Sequence, residues 1–514
     1  MFKKTVLYST FLLSASSLVK QLMSFIYRII ISRMAGAQGM ALYQLIWPFY
    51  DVVSSVTIAG ICVAATKLSA EKKAENDRSA PALISVCKML FSVIFVIIAV
   101  LAVIGNKWIA ATILGDKRTA VLILLMIPTL FLTGFENIYK SFFHGIHNVM
   151  PAVVSETVEL AIRIASAFAL MLAFKTDKAE VNAALIIAGM LVSEVFSSQF
   201  MRIAYKRKIK REQMHNKLKG TDKRKLLKQI SVFALPVTGA GLLTAAGGSA
   251  TFIMIPRLLM VWGMPREEAM NTFGVLMGMV APFVMFPMIF ISSLSAVVFP
   301  RLSTSAARGN TEDIKRKIGL SMRVTSLFSL PITAIIIIVG PSLCHMLFNQ
   351  NPDKKFFAVL ALSSVLGYYE MILANILNGT GMEKKNAVFA VISEAITLAV
   401  TCIAIPLIGI YGYIAGVVSG SIFRLTMSMI TVFVKGKIKT EPVKTFVSPL
   451  VTAALCGFLG NLFFEFMLEN GFAELSAIIY MSPGCIILYT ILMNIQGVRP
   501  YRYVKSLIRI NQQN

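Results

Sequence analysis

The sequence predicts an all-α integral membrane protein of 14 transmembrane helices, made of two parallel-repeat six-helix lobes followed by two further helices. Three observations predict it. The 514 residues are 56% hydrophobic, have a mean hydropathy of +0.74 and are only 15% charged, whereas soluble domains carry about 25% charged residues. Apolar stretches long enough to cross a bilayer recur along the whole chain, and helices are what satisfies the backbone of such stretches in lipid. Finally, two distant segments read as copies of one another.

The apolar stretches fall at 6–32, 40–66, 83–104, 119–143, 152–174 and 183–204, and then at 229–255, 272–298, 319–346, 357–379, 387–408, 411–434, 445–468 and 474–496. The first continues well past signal-peptide length, and no small-residue cleavage site follows it, so it reads as a retained span. The eleventh and twelfth are nearly contiguous, and Gly409 and Gly412 are expected to make the tight turn between them.

The repeat joins residues 47–70 to residues 281–304. At one offset Pro48 meets Pro282, Phe49 meets Phe283, Leu68 meets Leu302 and Lys67 meets Arg301. Glu136 and Gly145 meet Glu370 and Gly379 at the same offset. Asn148, Ser155 and Glu156 meet Asn386, Ser393 and Glu394 after a small shift. Six spans in each half is an even number, so both halves enter the membrane in the same sense. Such repeats are a hallmark of secondary transporters, whose sites lie between them. The expected divisions are a first lobe at 1–204, a basic linker at 205–228, a second lobe at 229–434, and a segment at 435–514 holding the last two spans and a basic tail.

Charge orients the spans. With the N-terminus in the cytoplasm, alternate loops place 32 of the 50 lysines and arginines on the cytoplasmic side and 10 on the other, with 8 inside spans. That bias follows the positive-inside rule and puts both termini in the cytoplasm. It also accounts for the net charge of +25. The densest run, 206–228, holds 11 cations and no aromatic residue; it reads as a topology anchor touching anionic membrane lipids. Nucleic-acid binding would want stacking aromatics among the cations. The six cysteines stand singly and read as small buried hydrophobes.

Ionisable groups within apolar spans mark cavities or partners. Lys20, Ser24 and Arg28 are four apart, so they share a face of the first span; Arg28 is the strongest candidate for an aqueous cleft. Arg257 ends the seventh span after Pro256. Asp51 in the second span is the acid expected to sit beside Arg28 as an ion pair. Lys67 and Arg301 read as anchors at the inner mouth. Glu156, Glu159 and Arg163 share a face of the fifth span. Glu136, Glu194, Glu370 and Glu394 are single acids in apolar surroundings, with Lys140 and Arg424 available as partners. Glu136, Glu156, Glu370 and Glu394 are the candidates for ion coupling or gating. His144 and His147 read as a helix end rather than a metal pair, given Gly145 and Asn148. Neither a phosphate-binding GxxxxGK[ST] loop nor a nucleophile–base constellation occurs, so the reading is not an enzyme, with no cofactor and no metal.

The segment 27–71, with Arg28, the SR at 32–33, GAQGMALYQL at 36–45, Pro48 and the AG…VA…KL…AE stretch at 59–71, resembles the opening of the stage V sporulation protein B family. That family lies in the polysaccharide-flippase branch of the multidrug/oligosaccharidyl-lipid/polysaccharide exporter superfamily. The FPRLS at 299–303 extends the resemblance. It implies two lobes in a V around a central cavity, and two C-terminal helices forming a lipid groove. It implies a location in the bacterial cytoplasmic membrane. The implied cargo is an undecaprenyl-pyrophosphate-linked saccharide, a lipid II-like peptidoglycan precursor for vegetative wall or spore cortex, with cavity arginines on the pyrophosphate. Arg28 and Arg257 are the positions carried over; Asp51 stands where a further cation is expected. The partners implied are that lipid, membrane lipids and a coupling ion, H+ or Na+. The alternatives are a cation-coupled drug antiporter of the same fold, which calls for an acidic cavity, and a non-transporting scaffold for wall synthesis.

Overall fold

A computed structural model describes residues 2–75, 79–214, 220–434 and 441–501. All regular structure among them is helical: α1 (Phe2–Ser54), α2 (Gly60–Ala74), α3 (Ala80–Trp108), α4 (Thr119–Gly145), α5 (Met150–Ala173), α6 (Ala179–Arg211), α7 (Gly220–Trp262), α8 (Arg266–Val275), α9 (Ala281–Val284), α10 (Met288–Ala307), α11 (Thr311–Phe348), α12 (Lys354–Gly379), α13 (Glu383–Ile408), α14 (Tyr411–Met429), α15 (Ser448–Glu469) and α16 (Glu474–Ile495). Short π turns interrupt the set, among them Ser55–Ala59, Ile109–Leu114 and Leu276–Val280. Part of the basic linker, the 435–440 loop and the tail from 502 lie outside the described residues.

Eleven helical runs among the described residues are long and apolar enough to cross a membrane. One of them, Val19–Ala74, contains two of the stretches read from sequence. The two meet directly at Gly36, whose φ of 66° and ψ of -179° are not helical, so α1 consists of two helices joined at a sharp kink. The break between the two stretches read from sequence thus has a local cause, since the segment holds no proline and glycine alone takes that conformation without strain. The fifth stretch forms α5, which carries Glu156, Glu159 and Arg163. The eighth is broken into α8, a π turn, α9 and α10 around Pro282 and Pro287.

The chain groups into two compact units. One comprises Leu22–Gly278 and the other Met1–Gln21 with Met279–Asn514. In the first, Phe91 of α3 packs among Phe95, Phe131 and Phe135. Gly134 makes room for it, since a Cβ there would lie 2.0 Å from the Phe91 ring. Lys67 lies 3.8 Å above the centre of the Phe233 ring. In the second, Tyr368 is fully buried and its hydroxyl donates to the Val284 carbonyl at 2.9 Å. The side chain of Arg301 lies outside the described residues.

Within the second unit, α13 and α14 lie against each other along Gly412, Gly416 and Gly420. Cβ atoms at these positions would stand 2.2 Å from the Ile405 backbone, 2.1 Å from the Thr401 hydroxyl and 2.1 Å from the Thr397 hydroxyl. Small residues every four positions let helices approach closely in lipid. The turn before α14 is made by Gly409, at φ 62°, with Gly412 N–H donating to its carbonyl. Gly412 is therefore also a packing residue, beyond the turn role read from sequence. In the first unit α5 and α6 meet similarly at Ala167 and Gly189, and Ser166 donates to the Gly189 carbonyl at 2.9 Å.

The outward faces are apolar. On α3, Val93, Val96, Ile97, Val100, Leu101 and Ile104 are exposed, and Ile104 keeps 80% of its surface. Such a face suits acyl chains, since soluble proteins rarely expose so large an apolar patch. All six cysteines are free, with Cys62 and Cys402 half-buried and the others buried.

Candidate functional site

Arg28 sits on α1, between Tyr27 and Ile29, and its Nη1 reaches the carbonyls of Met277 and Gly278 at 3.4 and 3.3 Å. Those carbonyls belong to the π turn Leu276–Val280. A π turn leaves carbonyls without their usual i+4 partners, and Gln44 donates to the Met277 carbonyl as well, at 3.3 Å. No carboxylate pairs with Arg28 among the described residues. The ion pair expected with Asp51 is not formed; Asp51 is exposed on α1. Ser24 is exposed and Lys20 half-buried on the same helix.

Arg257 uses the same kind of partner. Its Nη2 donates to the carbonyls of Thr112 and Ile113 at 2.5 and 2.7 Å, within the π turn that ends α3. Around it the α3–α4 loop is clamped by further cations. Arg266 donates to the Gly115 carbonyl at 3.2 Å and approaches Asp116 at 3.4 Å. Asp116 is buried and takes bidentate hydrogen bonds from Arg118, at 2.8 and 3.1 Å. Burial works to raise the Asp116 pKa, but the Arg118 hydrogen bonds outweigh it and hold the carboxyl below its usual range.

A second polar centre lies among α4, α5 and α6. Glu136 is buried, takes an ion pair from Lys140 at 2.9 Å, and accepts hydrogen bonds from Ser155 at 2.9 Å and from Ser197. Lys140 also approaches Glu156 at 3.8 Å and Glu159 at 3.7 Å. Arg163 pairs with Glu159, and with Glu194 at 3.4 Å. Oxygens of Glu136, Glu159 and Glu194 all lie within 4.8 Å of one another. Three enclosed carboxylates thus face two cations, and Oε2 of Glu194 is buried with no hydrogen-bond partner. Close like charges in a low dielectric favour uptake of a positive charge. The arrangement can therefore hold one proton or one monovalent cation.

The other unit carries a smaller counterpart. Arg424 of α14 lies 3.4 Å from Glu370 of α12 and 3.5 Å from Asn386. Glu394 of α13 is half-buried, and Oε1 of Glu370 is buried without a partner. Lys140 and Arg424, read from sequence as available partners for these acids without an assignment, pair with Glu136 and Glu370, and the Glu159–Arg163 pair is also observed. Sequence reasoning left Glu194 and Arg163 out of the candidate site. Glu194 signalled itself only as an isolated charge in an apolar helix and Arg163 only as sharing a face with Glu159, and their convergence with Glu136 depends on how α4, α5 and α6 rotate. His147 ends α4 with φ 57°, as the helix-end reading requires.

A family model described as "Polysaccharide biosynthesis protein" matches residues 6–306. The chain belongs to this polysaccharide biosynthesis family. A second model, "Lipid II flippase MurJ", matches residues 267–482. Among curated relatives, Stage V sporulation protein B of Bacillus subtilis (strain 168) is 24% identical over 470 residues, covering 90% of each chain. Sporulation protein YkvU of the same organism is 21% identical, covering 82% of this chain and 93% of that one. Among solved structures, the lipid II flippase MurJ in an inward closed conformation matches with a TM-score of 0.69 at 14% identity, covering 95% of this chain and 99% of that one. An inward-facing multidrug resistance MATE family transporter matches with a TM-score of 0.66 at 15% identity, covering 81% and 94%. As a member of the polysaccharide biosynthesis family with this fold, the chain is a multi-pass membrane transporter, not an enzyme.

Proposed function

We propose that the protein flips an undecaprenyl-pyrophosphate-linked saccharide, a lipid II-like peptidoglycan precursor, across the bacterial cytoplasmic membrane by alternating access. Vegetative wall or spore cortex would be the destination. One observation carries the reading: Arg28 and Arg257, on apolar helices, are held by backbone carbonyls and by no carboxylate among the described residues. Their positive charge is therefore left for an anion to neutralise. Guanidinium stays charged in a dry cavity and offers paired donors that match phosphate oxygens. Carbonyl partners hold the side chains in place and are easily exchanged for a charged ligand. Lys20, Ser24 and Asp51 would line the same path, with the prenyl tail remaining in lipid. No covalent bond changes in the cycle.

In this reading fourteen crossings, N- and C-termini in the cytoplasm, and lobes at 1–204 and 229–434 frame the path. Coupling falls to the Glu136–Glu159–Glu194 centre with Glu156 beside it, and to Glu370 and Glu394 in the second half, each loading H+ or Na+. A drug antiporter of the same fold would draw on the same acids. Those acids keep at most a small surplus of negative charge beside Lys140, Arg163 and Arg424, whereas the two arginines have no acidic partner among the described residues, so an anionic cargo fits better.

The test is translocation of labelled lipid-linked disaccharide in proteoliposomes. Arg28→Ala and Arg257→Ala are expected to lower the rate at least ten-fold, and the lysine variants to recover part of it. Normal flipping by both alanine variants would refute the site, and efflux of cationic drugs with no lipid flipping would favour the antiporter.

A further inference from the structure

The ends of α3, α4 and α6 enclose a groove of about 430 Å³ that the transport reading does not use. Three cations converge on it: Lys88 from the first turns of α3, and Arg202 and Lys206 from the last turns of α6. Among the described residues no carboxylate pairs with any of them, although nearby Lys208 has its own partner in Glu212. Lys88 lies instead over the rings of Tyr139 and Tyr205, at 5.4 and 5.9 Å from their centres. Three like charges held together with no counter-charge repel one another, so the groove is electrostatically incomplete.

Its shape says what completes it. Tyr139 stands at the charged end, whereas Phe131 and Phe135, on the same helix α4, line the rest of the groove. Residues 131 and 139 are about 12 Å apart along that helix. The groove thus passes from cationic at the helix ends to aromatic deeper in the span. A soluble anion would need only the first part. A molecule with a phosphate head and a hydrocarbon chain fills both. Basic pockets between helices at a membrane surface suit such headgroups.

We propose that this groove is a binding site for an anionic membrane phospholipid, its phosphate among Lys88, Arg202 and Lys206 and one acyl chain along Phe135 and Phe131. The site is separate from the arginines assigned to cargo and does not rest on the flippase reading.

Native mass spectrometry of the purified full chain tests it, with phosphatidylglycerol and phosphatidylcholine as probes. One phosphatidylglycerol is expected to be retained per chain, and phosphatidylcholine is not. Each cation lost should weaken retention about five-fold, so R202Q/K206Q falls about 25-fold and the triple variant with K88Q further. Arg202 and Lys206 are exposed, so the double variant keeps the fold should the triple variant fail to. Equal retention of the two lipids, or undiminished phosphatidylglycerol binding by R202Q/K206Q, would overturn the proposal. So would displacement of the bound lipid by inorganic pyrophosphate at full effect, because that marks a site for small anions.

Discussion

At the residue scale the charges inside this protein divide into those that are balanced and those that are not. Lys140 and Arg163 serve three enclosed carboxylates, so changes at this centre should have opposite effects according to sign. Lys140→Ala leaves Glu136 buried without its counter-charge and is expected to cost about 3–5 kcal/mol, read as a fall in the unfolding midpoint. Glu194→Gln removes the surplus negative charge. It should leave the protein as stable or more so, while the flipping rate loses its dependence on pH; an unchanged pH profile would count against coupling here. Facing this centre from the packed helices are Glu136 and Lys140 on α4, Glu156, Glu159 and Arg163 on α5, and Tyr27, Tyr43 and Tyr50 on α1. The α3–α4 loop offers a second case. Asp116 has a lowered pKa in the folded state. Its contribution is present above the usual carboxylate range and is lost as pH falls through the lowered value. Asp116→Asn should therefore destabilise at neutral pH and have little effect under strongly acidic conditions, which thermal unfolding at the two pH values would reveal. The pairs of this scale were partly legible: Glu159 and Arg163 are four apart on one helix, which sequence displays, whereas Glu194 joins them only through helix rotation.

At the scale of elements, the legible features were the long apolar runs, because lipid removes every alternative to the helix. What periodicity could not deliver was how short a break can be. Residues 33–39 contain Arg33 and two glycines and read as the gap between two spans, and the helix is interrupted there at the single residue Gly36. The broken stretch around Pro282 and Pro287 erred the other way, since a hydrophobic count does not register two prolines. Close packing between helices is the other element-scale property. A Cβ at Gly412 would meet the Ile405 backbone at 2.2 Å, whereas at Gly416 the closest atom is the Thr401 hydroxyl and the nearest backbone, the Thr397 carbonyl, stands at 2.8 Å. A backbone yields less than a rotatable hydroxyl, so Gly412→Ala should destabilise more than Gly416→Ala, with the former costing about 1–3 kcal/mol. Comparing the detergent stability of the two variants decides it; the reverse order would mean that α13 shifts easily.

At the scale of the whole molecule, the fold class, the transporter reading and the family followed from composition, repeat and motif together, since each constrains the same chain independently. The site was legible only as a list of misplaced charges. Arg28 was expected to pair with Asp51, but its partners are carbonyls of a π turn some 250 residues away in sequence, and no local pattern announces them. The charge bias of the loops leads to one prediction about the entire chain. A reporter fused after residue 514, or a cysteine placed in 435–440, should respond only from the cytoplasmic side. A cysteine at Asn106 should react with a membrane-impermeant thiol reagent from outside. Labelling from the same side at all three would contradict the assigned orientation.

The bend in α1 also bears on chirality. Gly36 takes a backbone conformation of the left-handed type, yet open space surrounds the position where a side chain would begin. The obstacle to substitution there is thus the handedness of natural amino acids and not crowding. A semisynthetic chain with D-alanine at 36 should keep the bend and gain stability through a stiffer unfolded chain, whereas its mirror-image L counterpart should straighten or strain the helix.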